Sequence, residues 1–274
     1  MELLNTEIVV SYSGKISTGK FENSSPFFSI KESWKDIDRG FLENRQKELY
    51  NICYERFIEC ERREIADRIK EQRKDIRFYE HKGEQFPSVT SVINWDKDLF
   101  VSMEQLAQYG ARGTILHKQA ELFLKTGKVI EPKDIPEIYP DFVILKKGSL
   151  GLSLDMYNFP AFFEKHKFDV IELEKTVVNE EHKYAGRCDI KGIYNGKVTL
   201  FDIKTGTIEK IKAFEQLSAY AKSSGNEDVV QLMIIPLNNT TQQGFSKPEI
   251  CDDFEKYWSL FLQDRKHFYE RFGI

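Results

Sequence analysis

The sequence predicts an α/β fold, with strands and helices alternating in the C-terminal two thirds behind an N-terminal β segment and one long helix. Three observations predict it. Asn195-Gly196 separates two strand-like runs, "AGRCDIKGIY" and "KVTLFDIK", and Asn-Gly is the turn chemistry of a tight hairpin. Apolar residues recur on one helical face between Asp36 and Asp75, among them Ile37, Phe41, Leu49, Ile52, Phe57, Cys60, Ile65 and Ile69. Helical patterns before and after the hairpin, then the apolar run "VVQLMIIPL", complete an order of helix, three strands, helix, strand.

Taken in order, residues 1–30 read as β structure, "EIVVSYSGKI" and "PFFSI", around the turn residues "NSSP". The helix from Asp36 to Asp75 would run about 60 Å if unbroken and needs a partner for its apolar face. Gly83 and Pro87 in "EHKGEQFPSVT" end that pattern, which places a boundary near residue 80. Residues 1–80 form the appendage and 81–274 the main domain. A helix is expected from Ser102 to Lys125, broken at "YGARG", and another from Gly151 to His166. The runs "DVIELEKTVV", "AGRCDIKGIY" and "KVTLFDIK" follow as strands. A helix from Ile208 to Ser223, the strand "VVQLMIIPL" and the helix "FEKYWSLFLQDRKHFYERF" close the chain.

Composition narrows the function classes. A net charge of −4 over 274 residues excludes a bulk polycation, so any nucleic-acid contact must use a local basic patch or a bound metal. No apolar run is long enough to span a bilayer. "MELLNTEIVV" lacks the basic-then-apolar order of a secretory signal. Cys53, Cys60, Cys188 and Cys251 include no C-x-x-C pair and read as reduced, packed thiols rather than metal ligands.

The hairpin carries the chemistry. A two-residue loop pairs Tyr194 with Lys197. The same register carried inward sets Asp189 opposite Asp202 and Arg187 opposite Lys204. Residues two apart share a face, so both aspartates and Lys204 gather at the open end of one side. Cys188, Ile190, Tyr194, Phe201 and Ile203 then face the core. Facing carboxylates roughly 5 Å apart repel, and burial sharpens the repulsion. Arg187 and Lys204 can answer it as a structural ion-pair cluster. A divalent metal can answer it functionally, and oxygen ligands favour Mg²⁺ or Mn²⁺.

Three other segments add polar groups. "RGTILHKQAELF" places His117 and Glu121 four apart on one helix face, with Gly113 upstream allowing a close backbone approach. "FEQLSAY" places Gln216 and Tyr220 four apart, as a hydrogen-bonding arm and a stacking surface or as part of an ordinary core stripe. "IELEKTVV" puts Glu172 and Glu174 on one strand face, either solvated or supporting a site.

In order, His117, Glu174, Gly186-Arg187-Cys188-Asp189, Asp202-Ile203-Lys204 and Gln216-x-x-x-Tyr220 resemble the PD-(D/E)XK nuclease superfamily, and within it the RecB-like branch. "FPSVTSVI" and "RGTILH" are similar to segments of the mitochondrial genome maintenance exonuclease group and its phage and bacterial relatives. The likeness spans roughly residues 85 to 235; residues 1–80 match nothing in it. The resemblance implies a restriction-endonuclease-like core, a mixed sheet flanked by helices. It implies Mg²⁺ or Mn²⁺ held by His117, Asp189, Asp202 and the Ile203 carbonyl. Lys204 would act with Asp189 and Asp202 in catalysis, contacting the attacking water or the scissile phosphate. Gln216 and Tyr220 would hold the substrate strand, with Arg187 and Arg112 as further contacts and Glu174 and Glu121 as support.

The expected activity is therefore a metal-dependent DNA exonuclease acting on single-stranded ends, in replication, recombination or repair. The alternatives are a non-catalytic nucleic-acid-binding or scaffold module on the same fold, or a structure-specific endonuclease. Arg112, Lys118, Arg187, Lys210 and Lys212 are the cations nearest the motifs in sequence. Residues 36–75 offer a surface for a protein partner or self-association. The expected location is the cytoplasm, or the host cytoplasm for a phage-encoded chain.

Overall fold

The computed structural model describes residues 5–13, 16–17, 23–24, 27–35, 39–96, 103–134, 155–237 and 241–274. They fall into two units, Met1–Asp75 and Ile76–Ile274. In the first, β1 (Asn5–Ser13) pairs antiparallel with β4 (Phe27–Lys35) from Asn5↔Lys35 to Ser13↔Phe27. Between them the short β2 (Ile16–Ser17) and β3 (Asn23–Ser24) pair with each other. Helix α1 (Arg39–Lys74) follows, with 36 residues and a length of about 54 Å. Leu49, Cys53 and Phe57, each four apart, are its buried stripe, and the helix packs on β1 and β4. Arg45 ties it to β4 through Glu32 at 2.7 and 2.8 Å.

One sequence expectation changes here. Phe41, Ile52 and Ile65, expected on the apolar face, are exposed, and burial falls on Leu49, Cys53 and Phe57 of the helix that packs on β1 and β4. Asp36, Ile37 and the end of the "NSSP" turn lie outside the described residues.

The second unit opens with β5 (Phe78–His81) paired to β6 (Glu84–Pro87). This ribbon packs on the later sheet, and the two units divide at residues 75–76. Ser88 caps α2 (Val89–Ile93), its hydroxyl accepting the Ser91 N–H at 3.0 Å. Helix α3 (Met103–Thr126) runs through "YGARG" without the expected break. Each glycine there costs about 1 kcal/mol against alanine, and buried Ile115, Leu116 and Ala120 outweigh that cost. The expected start at Ser102 lies outside the described residues. Helix α4 (Asn158–Lys165) begins later than the expected Gly151. Tyr157 N–H is held instead by Asp155 in a turn, and residues 151–154 lie outside the described residues.

Strands β7 (Asp169–Asn179), β8 (Tyr184–Tyr194) and β9 (Lys197–Lys204) lead through α5 (Lys210–Ala221) to β10 (Gln231–Pro236), β11 (Glu249–Cys251) and α6 (Glu255–Phe272). The sheet order is β11-β10-β9-β8-β7. β9 and β10 are parallel and the other pairs antiparallel, so the sheet is mixed. The parallel pair requires a crossover, which α5 supplies. Asn195 and Gly196 both take positive φ, 51° and 77°, as a type I′ turn demands.

One apolar core joins Ile190, Phe201, Ile203, Met233 and Ile235 of the sheet to Ala120 of α3 and Phe159 and Phe162 of α4. Elsewhere Tyr184 meets Phe261 of α6 edge-on at 4.8 Å and donates to the Ala219 carbonyl of α5. The chain is thus an α/β protein whose five-stranded mixed sheet is flanked by helices. No disulfide links the four cysteines. Among the described residues no helix is long and apolar enough to cross a membrane.

Candidate functional site

The site forms where the β8–β9 ladder stops. Its register is the one the Asn-Gly turn dictates, from Tyr194↔Lys197 to Ile190↔Phe201. It does not continue to Asp189 and Asp202, which corrects the expected facing pair. Ile203 N–H donates to Asp189 Oδ2 at 2.9 Å, and Ile203 O meets His117 Nε2 at 3.0 Å. Lys204 O accepts from Leu237 N–H beyond β10. The Ile203 N–H and carbonyl are therefore satisfied, but by side chains rather than by a strand.

His117, Glu174 and Asp189 come together around that break, with ligand atoms all within 4.8 Å of one another. Nδ1 of His117 lies 3.4 Å from Asp189 Oδ2. Glu174 reaches the cluster from β7 in an unusual backbone state, φ 52°. A non-glycine residue in the left-handed region inside a strand is strained, and such strain concentrates at functional positions. Arg187 Nε pairs with Glu174 Oε2 at 2.8 Å.

Electrostatics separate these groups. Burial alone would lower the His117 pKa, but Asp189, with Asp202 and Glu174 further away, raises it overall. Burial works against charged Asp189, yet His117, the Ile203 N–H and Lys204 outweigh it and lower its pKa. Glu174 is raised, first by burial and then by Asp189, against the pull of Arg187.

Asp202 stands in a second group. Its Oδ2 makes no hydrogen bond, but the Lys204 ammonium lies 2.7 Å away as an ion pair. Gln216 Nε2 donates to Asp202 Oδ1 at 3.1 Å, and Gln216 Oε1 accepts from Lys204 at 3.0 Å. One carboxamide thus bridges both charges. Burial pushes the Asp202 pKa up to about 6, and Lys204 offsets this only in part. Gln216 is held in turn by Tyr220, whose hydroxyl lies 3.1 Å from Nε2. The Tyr220 ring rests over Gly186 of β8. A Cβ built there would stand 2.4 Å from Tyr220 Cε1, so glycine is needed for the approach.

The expected site residues are thereby sorted. His117, Asp189, Asp202, Ile203, Lys204, Gln216 and Tyr220 are brought together, and Glu174 joins the His117–Asp189 group where Asp202 was expected. Gln216 and Tyr220 are buried, at 8% and 4% exposure, so they brace Asp202 and Lys204 instead of offering a stacking surface. Glu121 turns away to Lys118 and Lys125, each at 2.7 Å. Arg187 lies half-exposed on the rim. Arg112 is buried and donates to the Thr205 carbonyl. Lys210 pairs with Glu249, and Lys212 donates to the Ile93 carbonyl, so neither faces the site. Sequence reasoning passed over Thr205, for which there was no signal, and the role of Gly186, for which a glycine inside a strand was one.

No family model matches the chain, and no curated protein matches it. Among solved structures, the crystal structure of SSO0001 aligns over 57% of this chain and 85% of its own, at 16% identity and a TM-score of 0.26.

Proposed function

We propose that the chain is a divalent-metal-dependent nuclease of the PD-(D/E)XK type, with a restriction-endonuclease-like core, that hydrolyses DNA from single-stranded ends. The observation that carries this reading is the break in the β8–β9 ladder. It turns the Ile203 carbonyl toward His117, beside two acidic side chains from different strands. The donor set fits a hard or borderline cation: a neutral imidazole, two carboxylates and a carbonyl suit Mg²⁺ or Mn²⁺, with the histidine favouring Mn²⁺. In the chain without metal His117 Nε2–H donates to the Ile203 carbonyl at 3.0 Å, so an ion held by both groups would take the place of that proton. Such an ion, when bound, supplies a water of lowered pKa and charge neutralisation at a phosphoryl oxygen.

The chain's own groups supply the rest. Asp202 and Gln216 hold the Lys204 ammonium from two sides, so it is oriented before substrate arrives. From there it offsets charge that grows on the phosphoryl group in the transition state. Tyr220 and Gly186 fix Gln216 and so keep Asp202 and Lys204 in register. Arg187 and Lys118, on the rim, attract the sugar–phosphate chain, and binding therefore weakens with salt.

The test is incubation with a 5′-labelled single strand and its duplex in EDTA, Mg²⁺ or Mn²⁺, beside Asp202→Ala. Metal-dependent laddering, strongest on the single strand and lost in the variant, is the expected outcome. Cutting that starts inside both strands would favour a structure-specific endonuclease. Gel shifts without any cutting would move the reading to a non-catalytic binding module.

A further inference from the structure

We propose that Arg112 is a positioning residue that sets the carbonyl edge of β9 against His117, and not a contact to the substrate strand. The proposal rests on the nuclease reading of the site but concerns a residue outside the donor set. Residues of a strand present their N–H and C=O groups to alternate edges. Lys204 faces β10, where its carbonyl accepts from Leu237. Ile203 therefore faces the other edge, which β8 has left after Ile190↔Phe201, and the Thr205 carbonyl follows just past the end of β9. Two donors from α3 occupy that abandoned edge. His117 Nε2 meets the Ile203 carbonyl, and Arg112 Nη1 donates to the Thr205 carbonyl.

The two grips match in spacing. Five residues of helix rise ~7.5 Å, and two residues of strand advance ~6.8 Å. Helix α3 can therefore lie along the end of β9 and hold both carbonyls at once. Gly113 lies beside this approach without being required by it, since a Cβ there would meet Thr205 Oγ1 at an ordinary 3.7 Å. Lys204 sits between the two gripped residues, so its backbone is held on either side. Arg112 is only 6% exposed, which leaves its guanidinium little surface for a phosphate. A buried arginine on a backbone carbonyl, one residue from the site's lysine, is placed to orient rather than to bind.

The experiment compares wild type, Arg112→Met and Arg112→Lys by single-strand cleavage, Mn²⁺ binding and ¹⁵N NMR of the His117 imidazole at fixed pH. Loss of a supporting contact around a metal site typically costs 10- to 100-fold in affinity or activity. Arg112→Met should lower kcat by about that factor with KM within ~3-fold. It should weaken Mn²⁺ binding about tenfold, and in the metal-free protein the Nε2 resonance should lose its hydrogen-bonded shift. Arg112→Lys, a single-point donor on a shorter reach, should fall between the two. If the Met variant does not fold, the Lys variant decides: unchanged Mn²⁺ affinity and an unchanged imidazole signal overturn the proposal. So does a raised KM at unchanged kcat, which marks a strand contact. A lowered melting temperature with wild-type Mn²⁺ affinity and imidazole signal also overturns it, leaving a purely structural arginine. If wild type cuts nothing, the nuclease reading fails, while the imidazole signal still decides what Arg112 does.

Discussion

Ile203 N–H is bonded to the Asp189 carboxylate at 2.9 Å, at the place where an antiparallel ladder would have continued. The side chain of one strand has replaced the backbone of its own neighbour. This substitution opens the hairpin, frees the Ile203 carbonyl for His117 and keeps Asp189 ionised in a buried place.

Asp189→Asn should therefore separate geometry from charge. The amide oxygen can still accept from Ile203 N–H, so the fold should lose no more than about 1–2 kcal/mol. The lost charge should cut Mn²⁺ affinity and cleavage by at least about 100-fold. Urea unfolding and Mn²⁺ titration of the same preparation check both halves.

Lys204 and Asp202 should be coupled strongly. Lys204→Met leaves a buried carboxylate without its ion-pair partner and should destabilise by about 1–3 kcal/mol, less than for a fully buried pair because Lys204 is partly exposed. Adding Asp202→Asn should recover part of that loss. A double-mutant cycle by urea denaturation measures it, and strictly additive changes would contradict the coupling.

The pH dependence has a defined sign. The Asp202 pKa is raised to about 6 in the folded chain, above its ordinary value of 3.8. The folded state then binds more protons than the unfolded between about pH 4 and 6. Stability from this group is full below that window and lost as pH rises through it, by up to about 3 kcal/mol. Glu215, raised to about 7 by burial and Asp264, acts in the same direction at higher pH. Asp202→Asn should flatten the lower part of the curve only. Denaturation across pH 4 to 8 checks these expectations.

Glu174 sets stability against function. Its left-handed backbone costs roughly 1–2 kcal/mol, which glycine would not incur. Glu174→Gly should therefore stabilise the chain, or leave it unchanged once lost packing is counted, while weakening Mn²⁺ binding about tenfold or more. Thermal melts without metal and Mn²⁺ titration give the two numbers. A variant that is both less stable and equally able to bind Mn²⁺ would remove Glu174 from the site.

Much of the hairpin was legible because its rules are local. Asn195-Gly196 dictates the turn, the turn dictates the register, and alternation sends Ile190, Phe201 and Ile203 to the core. The place where the register ends was not legible, since it depends on His117 and Arg112 arriving from a helix about ninety residues upstream. Glu174 displaced Asp202 from the cluster for a similar reason: its side-chain direction follows from a positive φ that no glycine or asparagine announces. On α1, charged and apolar residues are interspersed all round, so the buried stripe is chosen by where the β1–β4 ribbon lies.

In the proposed nuclease site His117, Glu174 and Asp189 would hold one divalent cation beside the Ile203 carbonyl. Mn²⁺ titration followed by electron paramagnetic resonance tests it most directly, on wild type and on His117→Ala, Glu174→Gln and Asp189→Asn. One strong site is expected in wild type, weakened about tenfold or more in each variant. Wild-type Mn²⁺ binding in all three variants, or none in the wild type, would contradict it.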